Sequence, residues 1–142
     1  MFLGSHNHNL DAKGRIAIPA RFRDELKGGL VVTRGFDRCI ALYPMPVWSE
    51  LSQRINDLSF ADANVRQFRR MVFAEAIDLD LDTQGRILLP AALRTFAGID
   101  REAIVIGVHS SIEIWNFQRW QSNAQEMDSS ADDIAARLAG ML

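Results

Sequence analysis

Short apolar runs recur along this chain twice, in the same order. In the first series Ile16-Ala17-Ile18 is followed by Leu30-Val31-Val32-Thr33 and Ile40-Ala41-Leu42-Tyr43. In the second, Ile87-Leu88-Leu89 is followed by Ala103-Ile104-Val105-Ile106 and Ile112-Glu113-Ile114-Trp115. Runs this short, bounded by turn residues, read as strands. Pro19 and Pro90 end the first run of each series and suit the first turn of a helix. Short helices are therefore predicted over 20–27 and 91–98, stopped by Gly28-Gly29 and Gly98. The second and third runs of each series form a hairpin, around Gly35-Phe36-Asp37 and around His109-Ser110-Ser111. A helical period takes over between the series. Val47, Leu51, Ile55 and Leu58 share one face of a helix. Residues 64–72 form another, capped by Asp62, with Val65, Phe68 and Val72 inward and Arg66, Arg69 and Arg70 outward. Past Gln118, Trp120, Ala124 and Met127 begin an amphipathic tail. Ile134, Leu138 and Met141 continue a weaker stripe that could dock on a neighbour.

The recurrence is a repeat in the residues themselves. Leu10-Asp11-Ala12-Lys13-Gly14-Arg15-Ile16-Ala17-Ile18-Pro19-Ala20 returns 71 residues later as Leu81-Asp82-Thr83-Gln84-Gly85-Arg86-Ile87-Leu88-Leu89-Pro90-Ala91, with seven of eleven positions identical. The likeness runs on through Trp48 and Trp120, about 40 residues per copy. Those two tryptophans occupy matching positions and read as core or interface anchors. A short strand precedes each motif. Asp-x-x-Gly then makes a tight turn, with Gly14 or Gly85 at positive φ and Asp11 or Asp82 bonding the turn's N–H groups. The expectation is an α+β protein of two tandem repeats with short helices. The repeats span 5–47 and 76–119, connecting helices fill 48–75, and a helical tail covers 120–142.

Composition narrows the function. The 142 residues are 48% apolar, enough for a core, and Cys39 is the single cysteine. That excludes an intrachain disulfide and a cysteine-based metal cluster, and suits a reducing compartment. Cys39 itself reads as a small buried core residue. No apolar run approaches the roughly 18 residues of a membrane span. The first residues lack the basic start and apolar stretch of a signal peptide, so a cytosolic protein is expected. Net charge is −2, but it is uneven: residues 1–70 carry 11 Lys+Arg against 7 Asp+Glu, and residues 71–142 carry 5 against 11. A local basic patch on the first half, with the acidic end turned away, remains compatible with a polyanionic partner. No nucleophile elbow, phosphate loop or dinucleotide fingerprint occurs. His6 and His8 alternate on one strand face, yet no further ligand stands near them in sequence. No catalytic residue, metal, cofactor or small-molecule substrate is expected.

The paired Asp-x-x-x-Arg motifs, the Gly-Arg-Ile-x-x-Pro continuation of each, the opening Met1-Phe2-Leu3-Gly4 and the segment Leu42-Tyr43-Pro44-Met45-Pro46-Val47-Trp48 resemble the MraZ family of bacterial transcription regulators. The resemblance covers nearly the whole chain. It implies a double-split, swapped-hairpin β-barrel related to AbrB and SpoVT domains, with both half-domains in one chain. It implies a ring-shaped homo-oligomer that binds short direct repeats in double-stranded DNA, upstream of the division and cell-wall gene cluster containing its own gene, and that represses it. It implies nucleoid association, and marks Asp11, Arg15, Asp82 and Arg86 as the DNA-contacting surface.

Chemistry suits that assignment. A guanidinium can grip phosphate oxygens, or the O6/N7 edge of guanine, with two parallel hydrogen bonds. Lys13 offers a point charge for phosphate, and Gly14 and Gly85 let turn backbone approach closely. Aspartate repels phosphate, so its expected task is to fix the turn and orient the arginine four residues on. Arg21 and Arg23 are candidate secondary phosphate contacts. Gln84 replaces Lys13 and Ala92 replaces Arg21 in the second copy, so the first is expected to make more phosphate contacts. The bland alternative is an ordinary turn with a solvated ion pair, worth about 0–1 kcal/mol. A second functional alternative is an AbrB-like antitoxin or protein-interaction module, using the acidic tail.

Overall fold

A computed structural model describes all 142 residues. The first half contains strand β1 (Phe2–Asn9), β2 (Arg15–Ala17), helix α1 (Ala20–Arg23) running into a 3-10 turn, and the strands β3 (Leu30–Arg34) and β4 (Ile40–Pro44). Helices α2 (Met45–Asn56) and α3 (Ala63–Phe73) connect the halves. The second half repeats the order with β5 (Ile77–Leu79), β6 (Arg86–Leu88), α4 (Ala91–Ala97), β7 (Glu102–His109), β8 (Ile112–Asn116) and a long terminal helix, α5 (Phe117–Leu138). The protein is α+β, with antiparallel sheet and mostly short helices.

The halves interlock. A six-stranded sheet runs β1-β7-β8-β4-β3-β5, and a separate two-stranded ribbon joins β2 to β6. Each Asp-x-x-Gly turn is tight, with Asp11 N–H donating to Arg15 O and Gly14 N–H to Asp11 O. The strands either side of it nevertheless do not pair with each other. β1 pairs with β7 from the other half, Phe2 opposite His109 through Asn9 opposite Glu102. β5 likewise pairs with β3, and β4 with β8. In the ribbon, Ile16 faces Ile87, its own counterpart in the repeat. A pseudo-two-fold axis therefore passes between those two residues. Each half keeps only one local pairing, β3–β4 or β7–β8, the two hairpins read from the sequence.

One core serves both halves. Ile16, Ile18, Leu26, Leu30 and Leu42 meet Ile87, Leu89, Leu93, Val105 and Ile112 in a single buried cluster. A satellite cluster of Cys39, Ile104, Ile106 and Trp115 is covered by Phe117 and Trp120, the latter edge-on to Trp115 with centroids 5.4 Å apart. Burial pushes the Cys39 thiol up to about 12, which keeps it protonated and inert. Trp48 packs edge-on to Phe73 at 5.9 Å. Asp62 caps α3 by accepting from Asn64 N–H at 2.8 Å. Gly98 ends α4 in the left-handed conformation, φ +66°. Helix α2 stops at Asn56, so Leu58 lies beyond it and is exposed, while Ile55 is buried. The helical spacing had placed both on one inward face, but the turn at Asp57 rotates Leu58 away.

The β1–β7 seam tolerates no side chain at Gly107. A Cβ there would stand 2.5 Å from Leu3 N and Phe2 C, both backbone atoms in a ladder that cannot step aside. Gly107→Ala should destabilise the protein by about 1–3 kcal/mol. An unchanged midpoint in urea unfolding would show that the seam is looser than described.

Candidate nucleic-acid interface

The ribbon sets the site. Ile16 and Ile87 point into the core, so period-two alternation turns Arg15, Ala17, Arg86 and Leu88 to the outer face. Register places Arg15 opposite Leu88 and Arg86 opposite Ala17. The two arginines are thus related by the pseudo-two-fold axis on one small exposed surface. Their side chains keep 32% and 27% of their surface in solvent.

Each arginine is braced by its aspartate in the same way. Asp11 Oδ1 accepts from the N–H groups of Lys13 and Arg15, each at 2.9 Å, while Oδ2 accepts from Arg15 Nε at 2.7 Å. Asp82 repeats this with Gln84 and Arg86 N–H at 2.9 and 2.8 Å, and Arg86 Nε at 2.9 Å. Binding through Nε leaves the two terminal NH2 groups of each guanidinium for an outside partner. The halves also touch here, since Arg86 Nη1 lies 3.9 Å from Asp11 Oδ2. Lys13 is exposed beside this surface, and Arg21 is exposed on α1.

Backbone N–H donation, chiefly from Arg15 and Arg86, holds the Asp11 and Asp82 carboxyls below their ordinary value of 3.8, against an opposing contribution from burial. A depressed folded-state value means the brace is complete above that ordinary value and is lost as pH falls through the lower one. Carboxyl NMR titration should give midpoints below 3.8 for both. Arg15→Ala should raise the Asp11 midpoint only part of the way, because the main cause is backbone. A full return to 3.8 would make the side chain the principal brace instead.

A second pair of arginines packs against the turn glycines. Gly14 and Gly85 adopt φ +84° and +74°, and both are buried. Gly14 O accepts from Leu89 N–H and Gly85 O from Ile18 N–H, so each turn closes onto the other half's strand end. A methyl on Gly14 would come within 2.9 Å of the Arg94 guanidinium, and one on Gly85 would overlap Arg23. Arg23 Nε donates to Ile18 O at 2.8 Å and Arg94 Nε to Leu89 O at 3.1 Å. Arg23 therefore sits half-buried with its Nε committed to the scaffold. Arg94 is its counterpart in the second copy and was not singled out from the sequence. The signal was available: Arg94 follows Arg23 at the repeat's own spacing of 71 residues.

His6 stacks edge-on to Phe22 at 5.2 Å, and His8 is held below its ordinary value by burial, then by His6 and Arg23. No group of three His, Cys, Asp or Glu residues is placed to hold a metal ion.

Fold and site together define a pseudo-symmetric α+β protein whose interlocked repeats present one pair of aspartate-braced arginines. Each half, 1–71 and 72–142, matches the family model described as "MraZ protein, putative antitoxin-like". The chain belongs to the MraZ family. It is 52% identical over 142 residues to the transcriptional regulator MraZ of Thermomicrobium roseum, covering all of both chains. It is 54% identical over 136 residues to that of Herpetosiphon aurantiacus, covering 96% of this chain and 93% of the relative. It is 48% identical to that of Roseiflexus castenholzii over 98% and 97% of the two chains. The family is one of transcriptional regulators, not enzymes. No helix is long and apolar enough to cross a membrane.

Proposed function

We propose that this chain is a sequence-specific DNA-binding transcription regulator that reads double-stranded DNA with the β2–β6 ribbon. One observation carries the reading. Two guanidinium groups, each clamped at Nε and with no hydrogen bond made by its terminal nitrogens beyond the 3.9 Å approach of Arg86 Nη1 to Asp11, share the outer face of a two-stranded ribbon. The major groove admits such a ribbon, and an arginine presented in this way can bond O6 and N7 of guanine. Asp11 and Asp82 orient the arginines, Lys13 and Arg21 meet phosphate, and Gly14 and Gly85 keep the turns thin. Arg23 is a further candidate phosphate contact, and its Nε, with that of Arg94, also braces the strand ends beside the turns.

The sheet and the ribbon bury their inner faces in one core, which supports the swapped-hairpin barrel that the resemblance implies. A net charge of −2 makes one subunit a weak DNA ligand. The reading therefore includes a ring-shaped homo-oligomer on evenly spaced direct repeats, where matched spacing raises avidity about 10²–10⁴-fold. Its target is the division and cell-wall cluster containing its own gene, which it represses from the nucleoid. Gel shifts on the DNA upstream of that gene test this. Binding should require the repeats, fall steeply with salt and vanish in the variant lacking Arg15 and Arg86. Salt-insensitive binding, or equal binding to unrelated DNA, would end it.

A further inference from the structure

Helix α5 leaves the body of the protein and has no buried residue. Phe117 and Trp120 are seated on the satellite cluster, but every residue from Gln125 onward is exposed. The exposed part is not featureless. Met127, Ala131, Ile134 and Leu138 continue the spacing of three and four begun by the partly buried Phe117, Trp120 and Ala124, the seam of a helix built to lie along another surface. Glu126, Asp128, Asp132 and Asp133 surround the outer part of that seam, and of the four only Asp133 is paired, with Arg137 on the same helix at 3.1 Å.

A complementary surface exists at the other end of the repeat connection. Arg66, Arg69, Arg70 and Phe73 lie on one face of α3 and, with Phe60, line an open cleft of about 350 Å³. Phe60 is 73% exposed. Arg66 bonds the Phe60 and Ala61 carbonyls, Arg69 bonds Asn56 and Arg70 bonds Gln67. None of the three is paired with a carboxylate. Three cations around two phenylalanines suit an acidic, apolar helix.

We propose that the outer part of α5, centred on Met127–Leu138, seats in the arginine–phenylalanine cleft of α3 on a second copy of this chain. The contact is head-to-tail, since helix and cleft are different surfaces, and it can propagate around a closed assembly. It rests on the reading of the chain as a self-associating regulator and names the surfaces that do it. Pairing of α5 with another α5 is the less favourable arrangement, because it gathers the acidic residues together. The cleft instead neutralises them.

Charge reversal on each side tests the contact, read by native mass spectrometry and sedimentation of the full chain. One variant carries Asp128→Lys, Asp132→Lys and Asp133→Lys; the other carries Arg66→Glu, Arg69→Glu and Arg70→Glu. Wild type should assemble, and each variant alone should need at least a ten-fold higher concentration to do so. Mixed in equal amounts they should assemble again, alternately, because both kinds of contact are then complementary. All substituted positions lie on helix surfaces, and circular dichroism confirms that each variant is folded. Assembly of both variants as readily as wild type, or no rescue on mixing, would overturn the proposal while leaving the DNA reading intact. A monomeric wild type would remove the proposal and the oligomer together. Loss of DNA binding by the Arg15 and Arg86 variant, with assembly unchanged, would leave this contact standing.

Discussion

Replacing Arg15 and Arg86 together with alanine should abolish the gel shift on direct-repeat DNA while leaving the protein folded. Each bidentate arginine–base contact is worth about 1–3 kcal/mol, so losing two costs at least about 30-fold per subunit. Multiplied over an assembly, that exceeds what avidity restores. The fold should survive because Asp11 and Asp82 would still accept two backbone N–H bonds each. Both arginines are about a third exposed, and water screens pairs of this kind so that they add little to stability. An unfolding midpoint close to wild type, with no shifted band, is the expected result. Lys13→Gln should weaken binding by a smaller factor, similar for all DNA sequences, and flatten the salt dependence by about one counterion. Retention of specific binding by the double variant would refute the ribbon as the reading element.

Separating the halves should have the largest effect on folding. Neither residues 1–71 nor residues 72–142 should give a folded monomer. A lone first half keeps only the β3–β4 hairpin, and a lone second half only β7–β8. A single two-stranded hairpin is marginal in water. The longest ladder, β1 with β7, lies between halves, as do β2–β6, β3–β5 and β4–β8. Ile16 and Ile87 would each lose the partner that completes the core. Circular dichroism and sedimentation of the separate pieces should show unfolded chain or dimers made of two like halves. Mixing the pieces should recover the native spectrum. A monomeric half with native-like sheet would contradict the exchange of strands.

These expectations draw on different depths of the molecule. The duplication, the two turns, the hairpins and the Asp62 cap were all legible as local chemistry. They depend on residues within a few positions of one another, and the identity of those residues selects the conformation. The Asp11–Arg15 and Asp82–Arg86 braces belong to the same class, because the tight turn itself brings position i+4 back to the aspartate. Leu58 was misplaced because helical spacing says nothing about where a helix stops without a strong terminator.

Which strand lies beside which was not local. Alternation shows that Ile16 faces inward but carries no information about its neighbour, and a β1–β2 hairpin would satisfy the same pattern. Only burial of both halves' apolar faces in a single core selects the exchanged pairing. That same packing lays Arg23 and Arg94 over the glycine turns, and it brings two arginines 71 residues apart onto one ribbon. The motif thus specifies two braced guanidinium groups. Their meeting as one surface is a consequence of long-range core formation, which no short stretch of chain encodes.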